Sequence, residues 1–289
     1  MDAKEIIKNI RKLEIRTKGL SKSIFSGEYH SAFKGVGMSF SEVRPYKFGD
    51  EVKHIDWNVT ARTDEPHIKI FEEDRELNVI LLIDISKSAF FGTTGKFKKD
   101  LATEITALIA FSAIANNDKV GAILFSDQVE KYIPPKKGKK HTLRIIRESL
   151  YFQPKGPGTD IGLALKHLNN VFKKRSIVFL ISDFISPDFL KPLQIANKKH
   201  DLVAIRVFDD FEVKLPDVNI LRTVDAETGQ EIIVDTSSAA FRNEYERTRL
   251  NEAEKIKKML LANKIELLDI GVNDDYTFKL YHFFKKRAG

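Results

Sequence analysis

Between Leu77 and Ser88 the chain reads LNVILLIDISKS, an unbroken Val/Ile/Leu run that stops on an aspartate. An apolar run without polar alternation suits a strand covered on both faces, the environment inside a parallel sheet. Ligands of such sheets collect beyond the carboxyl ends of the strands, and Asp84 stands at that edge. It opens a D-x-S-x-S pattern, Asp84, Ser86 and Ser88. Side chains at i, i+2 and i+4 of an extended segment share one side, so a carboxylate and two hydroxyls can converge on a point. All three are hard oxygen donors, which suits a divalent cation of the magnesium type and not zinc.

Three donors leave an octahedral shell incomplete, so further oxygens are expected from loops at the same edge. Thr159, in Gly156-Pro157-Gly158-Thr159-Asp160, lies in a glycine-rich loop ahead of a helical pattern with Ile161, Leu165, Leu168 and Phe172 at core spacing. Asp183 ends a second apolar strand, Ile177 to Ser182. Taken singly, the serines read as turn caps and Thr159 or Asp160 as a helix cap. Five oxygen donors at the ends of two core strands and one intervening loop make a demanding coincidence, so metal binding is the expectation.

With Asp84, Ser86, Ser88, Thr159 and Asp183 in this order, the chain resembles the von Willebrand factor A family and its metal-ion-dependent adhesion site. The resemblance implies direct contacts to magnesium (or manganese or calcium in its stead) from the two serines and the threonine. The aspartates would act directly or through water, and an acidic side chain of a partner would complete the shell. A second set of residues widens the likeness. Arg44-Pro45-Tyr46, Gly49-Asp50-Glu51, Ile55-Asp56-Trp57 and Ala61-Arg62 precede the metal motif, an order similar to the bacterial family catalogued as domain of unknown function 58. Many of its members carry arginine before Ile-Asp-Trp, where this chain has Lys53-His54. The resemblance implies a partner as well: a MoxR-type AAA+ ATPase, in systems proposed to mature other proteins in a chaperone-like way.

The expected fold class is α/β, a doubly wound, mostly parallel sheet of von Willebrand A or Rossmann-like kind with an N-terminal accessory segment. Residues 1–19 read as an amphipathic helix with Ile6, Ile10 and Leu13 on one face. Residues 20–76 form an accessory module rich in glycine, aromatics and charge, in which Arg44, Asp50, Asp56 and Arg62 are expected to make an ion-paired lattice around Trp57, the only tryptophan. Strands and helices alternate over 77–272. The tail, 273–289, reads as a short helix with Phe278, Tyr281 and Phe284 turned inward.

With 289 residues the chain can bury a full α/β core. It has no cysteine, which excludes disulfides, thiol nucleophiles and Cys-zinc sites. The first residues lack the apolar core of a signal peptide, and a cytoplasmic location is expected. A net charge of +7 invites an anionic partner, and basic residues cluster in Lys131 to Arg147, in Lys173 to Arg175 and in the tail at Lys285, Lys286 and Arg287. In the first of these stretches only Tyr132 offers an aromatic ring for stacking, so nucleic-acid binding through that basic loop stays an alternative. Gly92-Thr93-Thr94-Gly95-Lys96-Phe97 lacks the spacing of a phosphate loop. A metal-dependent phosphohydrolase or nuclease is a second alternative, with Asp127 and Asp160 as the nearby acids. The leading expectation is a non-enzymatic, magnesium-dependent protein-protein interaction module, an adaptor that meets an acidic side chain of its partner.

Overall fold

The structure is a computed structural model and describes residues 29, 32–33, 38–63, 65–73, 76–92, 95, 97–156, 158–224 and 230–288. The helix expected over 1–19, Gly35-Val36-Gly37 and Thr228-Gly229 lie outside the described residues. In chain order the regular elements begin with β1 (Met38–Pro45), α1 (Trp57–Thr63), β2 (His67–Glu73), β3 (Asn78–Asp84), α2 (Lys98–Ala115), β4 (Lys119–Phe125) and β5 (Val129–Lys136). There follow α3 (Lys139–Tyr151), α4 (Ile161–Val171), β6 (Ile177–Ser182), α5 (Leu190–Lys199), β7 (Asp201–Phe208) and the single turn α6 (Asp210–Val213). The chain closes with β8 (Ile220–Val224), β9 (Glu231–Asp235), α7 (Ala239–Ala262), β10 (Glu266–Gly271) and α8 (Tyr276–Ala288).

Six strands make the central sheet in the order β10-β7-β6-β3-β4-β5. All neighbours run parallel except β5, which returns antiparallel along β4 at the edge. The edge position explains why Pro134 and Pro135 are tolerated in β5, since a proline has no N–H to give to a ladder. This is the expected α/β class.

Alternation along β3 shows why its run had to be apolar throughout. Val79, Leu81 and Ile83 pack on one face with Leu101, Ile105 and Leu108 of α2 and with Leu280 and Phe284 of α8. Ile80 and Leu82 pack on the other with Leu165 and Leu168 of α4, Leu193 of α5 and Leu260 of α7. Burying each such side chain contributes roughly 1.5–3 kcal/mol, so the strand is held from both sides. Helix α2 is itself covered twice: Ala107 and Phe111 meet Ile146 of α3 on the side away from the sheet.

The chain leaves β3 towards β4 and leaves β6 towards β7, in opposite directions along the sheet. A crevice opens at the carboxyl ends where such connections diverge. Here it lies between β3 and β6, whose register pairs Ile83 with Ile181 and so brings Asp84 level with Ser182.

Two expectations need correction. In α8 the buried residues are Tyr276, Leu280 and Phe284, while Phe278 is 62% exposed. The true stripe steps by four residues, whereas the expected one stepped by three. In the accessory section β1 and β2 form an antiparallel pair, and Arg44 grips Asp50 through two bonds of 2.8 Å. Asp56, however, caps α1 through the N–H groups of Asn58 and Val59 and pairs with Lys69. Trp57 is 67% exposed, so no lattice encloses it.

Candidate functional site

Asp84 is the last residue of β3 and is 5% exposed. Its Oδ1 accepts the Ser86 N–H at 2.9 Å, which curls the chain after the strand, and its Oδ2 accepts the Ser182 hydroxyl at 2.6 Å. The Ser86 and Ser88 hydroxyls are 3.0 Å apart, and Ser88 Oγ donates to Asp183 Oδ2 at 2.9 Å. Asp84, Ser86, Ser88 and Asp183 therefore form one hydrogen-bonded chain across the β3/β6 crevice. The strand stops at Asp84, and a 3-10 turn over Lys87–Phe90 with Ser86 at its start, not the expected strand alternation, folds Ser88 beside Ser86; the parallel pairing of β3 with β6 brings Asp183 across 95 residues of sequence.

Thr159 reaches the same rim by another route. The Asp160 N–H bonds Ser126 O just past β4, and the Ile161 N–H bonds Ser186 Oγ just past β6, so the segment is slung between the two strand ends. Asp160 caps α4 by accepting from the Leu163 N–H. Thr159 is 6% exposed, and among the described residues its hydroxyl has no hydrogen-bond partner. No described contact joins it directly to the other four.

The loop before Thr159 is clamped by a carboxylate that the sequence reading missed. Glu130 Oε1 accepts from Ser126 Oγ, Gln128 Nε2 and the N–H groups of Lys155 and Gly156. Burial would raise its pKa, but these donors outweigh that and hold it below the usual range. A Cβ at Gly156 would collide with the exposed Asp127 carboxylate and the Ser126 hydroxyl, so any other residue here would have to displace both.

A lysine also escaped the sequence reading. Lys98, the first residue of α2, is 2% exposed. Its ammonium donates to Asp183 Oδ2 at 2.9 Å and to Glu212 Oε1 of α6 at 2.6 Å. Burial alone would lower its pKa; the two carboxylates outweigh burial and raise it, so Lys98 stays charged. Glu212 is pushed up by burial and pulled back by Lys98. Basic residues at a helix N-terminus oppose the macrodipole, which was the one sequence signal of an unusual duty here. Phe184, next to Asp183, is buried with φ +64°, a conformation that costs a non-glycine residue roughly 1–2 kcal/mol. The Ser182 hydroxyl accepts its N–H and helps hold the turn that presents Asp183.

The donor set tests whether a hard cation suits the crevice. A cavity of about 10 Å³ lies among Asp84, Ser88, Lys98, Ser182 and Asp183, with Ala89, Ala102, Ile181 and Val207 completing its wall; Ser86 and Thr159 do not line it. Burial, then the neighbouring Asp183 charge, pushes Asp84 up to about 6. A buried carboxylate so raised is short of positive charge, and the unpartnered Thr159 hydroxyl has lone pairs to offer. The described residues hold no group of three or more His, Cys, Asp or Glu of metal-binding geometry, so hydroxyls must share the work. The oxygen donors and the negative charge of the crevice fit an ion of the magnesium type.

The chain is thus an α/β domain with a polar crevice at its topological switch point. The chain belongs to the family described as "Protein of unknown function DUF58", whose profile matches residues 42–255. Rv1480 of Mycobacterium tuberculosis, an uncharacterized protein, is 29% identical over 292 residues, covering 99% of this chain and 91% of its own. The uncharacterized MAV169 of Mycobacterium avium is 24% identical over 161 residues, 54% of this chain and 93% of its own. Among solved structures, the conserved hypothetical protein BatB of Bacteroides thetaiotaomicron is similar at 15% identity and TM-score 0.46, over 73% of this chain and 98% of that one. Mussel proximal thread matrix protein 1, solved with a zinc-occupied MIDAS motif, has 20% identity and TM-score 0.37 over 46% of this chain and 38% of its own. Among the described residues no helix is long and apolar enough to cross a membrane.

Proposed function

We propose that the β3/β6 crevice is a metal-ion-dependent adhesion site through which this chain binds an acidic side chain of a protein partner. Asp84, Ser86, Ser88 and Asp183 would hold a magnesium-type ion, with Thr159 as the donor from the opposite loop. The observation that carries this reading is the pairing of a cation-poor Asp84 with Asp183 through two serine hydroxyls at a strand-end crevice. A divalent ion bound there supplies an electrophilic centre that an incoming Glu or Asp can ligate. Buried carboxylates and hydroxyls fix the donors in advance, and hydrogen bonds from backbone N–H groups keep them aimed. The partner fitting this role is a MoxR-type AAA+ ATPase or its client, with the chain acting as a cytoplasmic adaptor and the ATPase supplying the energy.

The test is calorimetric titration of the full chain with MgCl2 and MnCl2, followed by capture of the ATPase with and without EDTA. Saturable binding lost in Asp84→Ala, together with EDTA-sensitive capture, supports the reading. Capture that survives both EDTA and the substitution overturns it.

A further inference from the structure

Lys98 gives the crevice a cation of its own. Asp84, Asp183 and Glu212 are three carboxylates against one ammonium, which leaves two negative charges for a divalent ion to balance. The ammonium bonds the same Asp183 oxygen that accepts from Ser88, so it sits on a metal donor. Glu212 holds the lysine from the far side, and its own Oε2 is anchored by the Asp209 N–H. Lysine is thus shared between a metal donor and a carboxylate that no ion in the crevice needs.

We propose that Lys98 is a resident competitor that sets the divalent affinity of the site, and that Glu212 tunes it by drawing the ammonium away from Asp183. The inference rests on the metal-site reading and goes beyond it to a regulator within the chain. Two substitutions then act in opposite directions. Lys98→Met removes positive charge beside the ion and frees Asp183, which tightens binding. Glu212→Gln removes the distraction and leaves the ammonium on Asp183, which weakens it. A unit charge a few ångströms from a divalent ion in a partly buried crevice changes affinity by about tenfold or more.

The experiment is titration of the full-length wild type, Lys98→Met, Glu212→Gln and the double variant with MgCl2 and MnCl2, each checked for folding by circular dichroism. The proposal expects Lys98→Met to bind about tenfold or more tighter than wild type and Glu212→Gln to bind more weakly. Removing one partner of a buried pair is destabilising, whereas removing both is tolerated far better. If Lys98→Met does not fold, the double variant decides, and it must bind more tightly than Glu212→Gln alone. Wild-type binding that Asp84→Ala abolishes, with no change in Lys98→Met, overturns the competitor and leaves the metal site standing. A flat wild-type titration with clear binding in Lys98→Met upholds the competitor and corrects the metal site to a lysine-blocked one. No binding in either protein overturns both.

Discussion

Leu82 and Asp84 are two residues apart on β3, both buried, and governed by different physics. Leu82 is fully buried between strand neighbours and helices, where each contact lowers the free energy of folding. Asp84 lies in the same sheet at 5% exposure, where burial of its charge opposes folding and only hydrogen bonds offset it. The body of the sheet is optimised for stability. Its carboxyl rim holds charges that a merely stable protein would replace by apolar side chains, and a charge kept at that cost points to ligand chemistry.

Substitutions in the body and at the rim should therefore separate stability from binding. The largest effect belongs to the body. Leu81→Ala, at a fully buried position facing α2 and α8, is expected to lose about 3–4 kcal/mol of unfolding free energy in urea denaturation. Magnesium affinity of the folded fraction should stay unchanged. A large loss of affinity would mean that body and rim are energetically one unit.

The rim should answer with the opposite sign. Asp84→Asn is expected to stabilise the metal-free protein by about 1–3 kcal/mol while abolishing magnesium binding. Acid titration of the wild type offers the same test without a substitution. Asp84 is pushed up to about 6 from an ordinary 3.8, so between those values the folded state binds more protons than the unfolded one. Its contribution thus makes the metal-free protein less stable as pH rises from about 4 to about 6, with no further change above. Asp84→Asn should flatten that part of the profile, measured as the urea midpoint against pH. A wild-type profile that does not respond to the substitution would show that Asp84 is not strained by burial.

Much of this contrast was legible in the chain. The apolar run ending on Asp84 announced a doubly covered strand, and the second run ending before Asp183 announced its neighbour. What escaped were contacts that only three dimensions create. Lys98 and Glu212 are 114 residues apart, and neither stands in a motif. The β1/β2 pair escaped because a register shift between Phe40 and Glu42 breaks alternation and 21 residues separate the strands. In α8 a ladder of aromatics at Phe278, Tyr281 and Phe284 competed with one at Tyr276, Leu280 and Phe284. The second won because its spacing of four keeps pace better with 3.6 residues per turn over two steps, which carries Tyr276 and Leu280 into the core alongside the shared Phe284.

The smallest effect expected tests whether positioning at the rim can be separated from charge. Glu130 holds the Gly156 loop from behind and lies on β5. Glu130→Gln keeps the shape of the side chain and one carbonyl oxygen to face the four donors, but removes the negative charge and puts an NH2 in place of the second carboxylate oxygen. The N–H groups of Lys155 and Gly156 then lose a charged acceptor, and the segment carrying Thr159 is held less firmly. Outer partners of metal ligands typically change affinity by about 10- to 100-fold, and because Glu130 acts on a single donor out of five the lower end of that range is expected. Thr159→Ala removes the donor itself, so adding it to Glu130→Gln should cause no further loss beyond that of Thr159→Ala alone. Titration of the two single variants and the double variant with MgCl2 measures this coupling. Strict additivity would mean that Glu130 works through the general field of the crevice and not through the threonine.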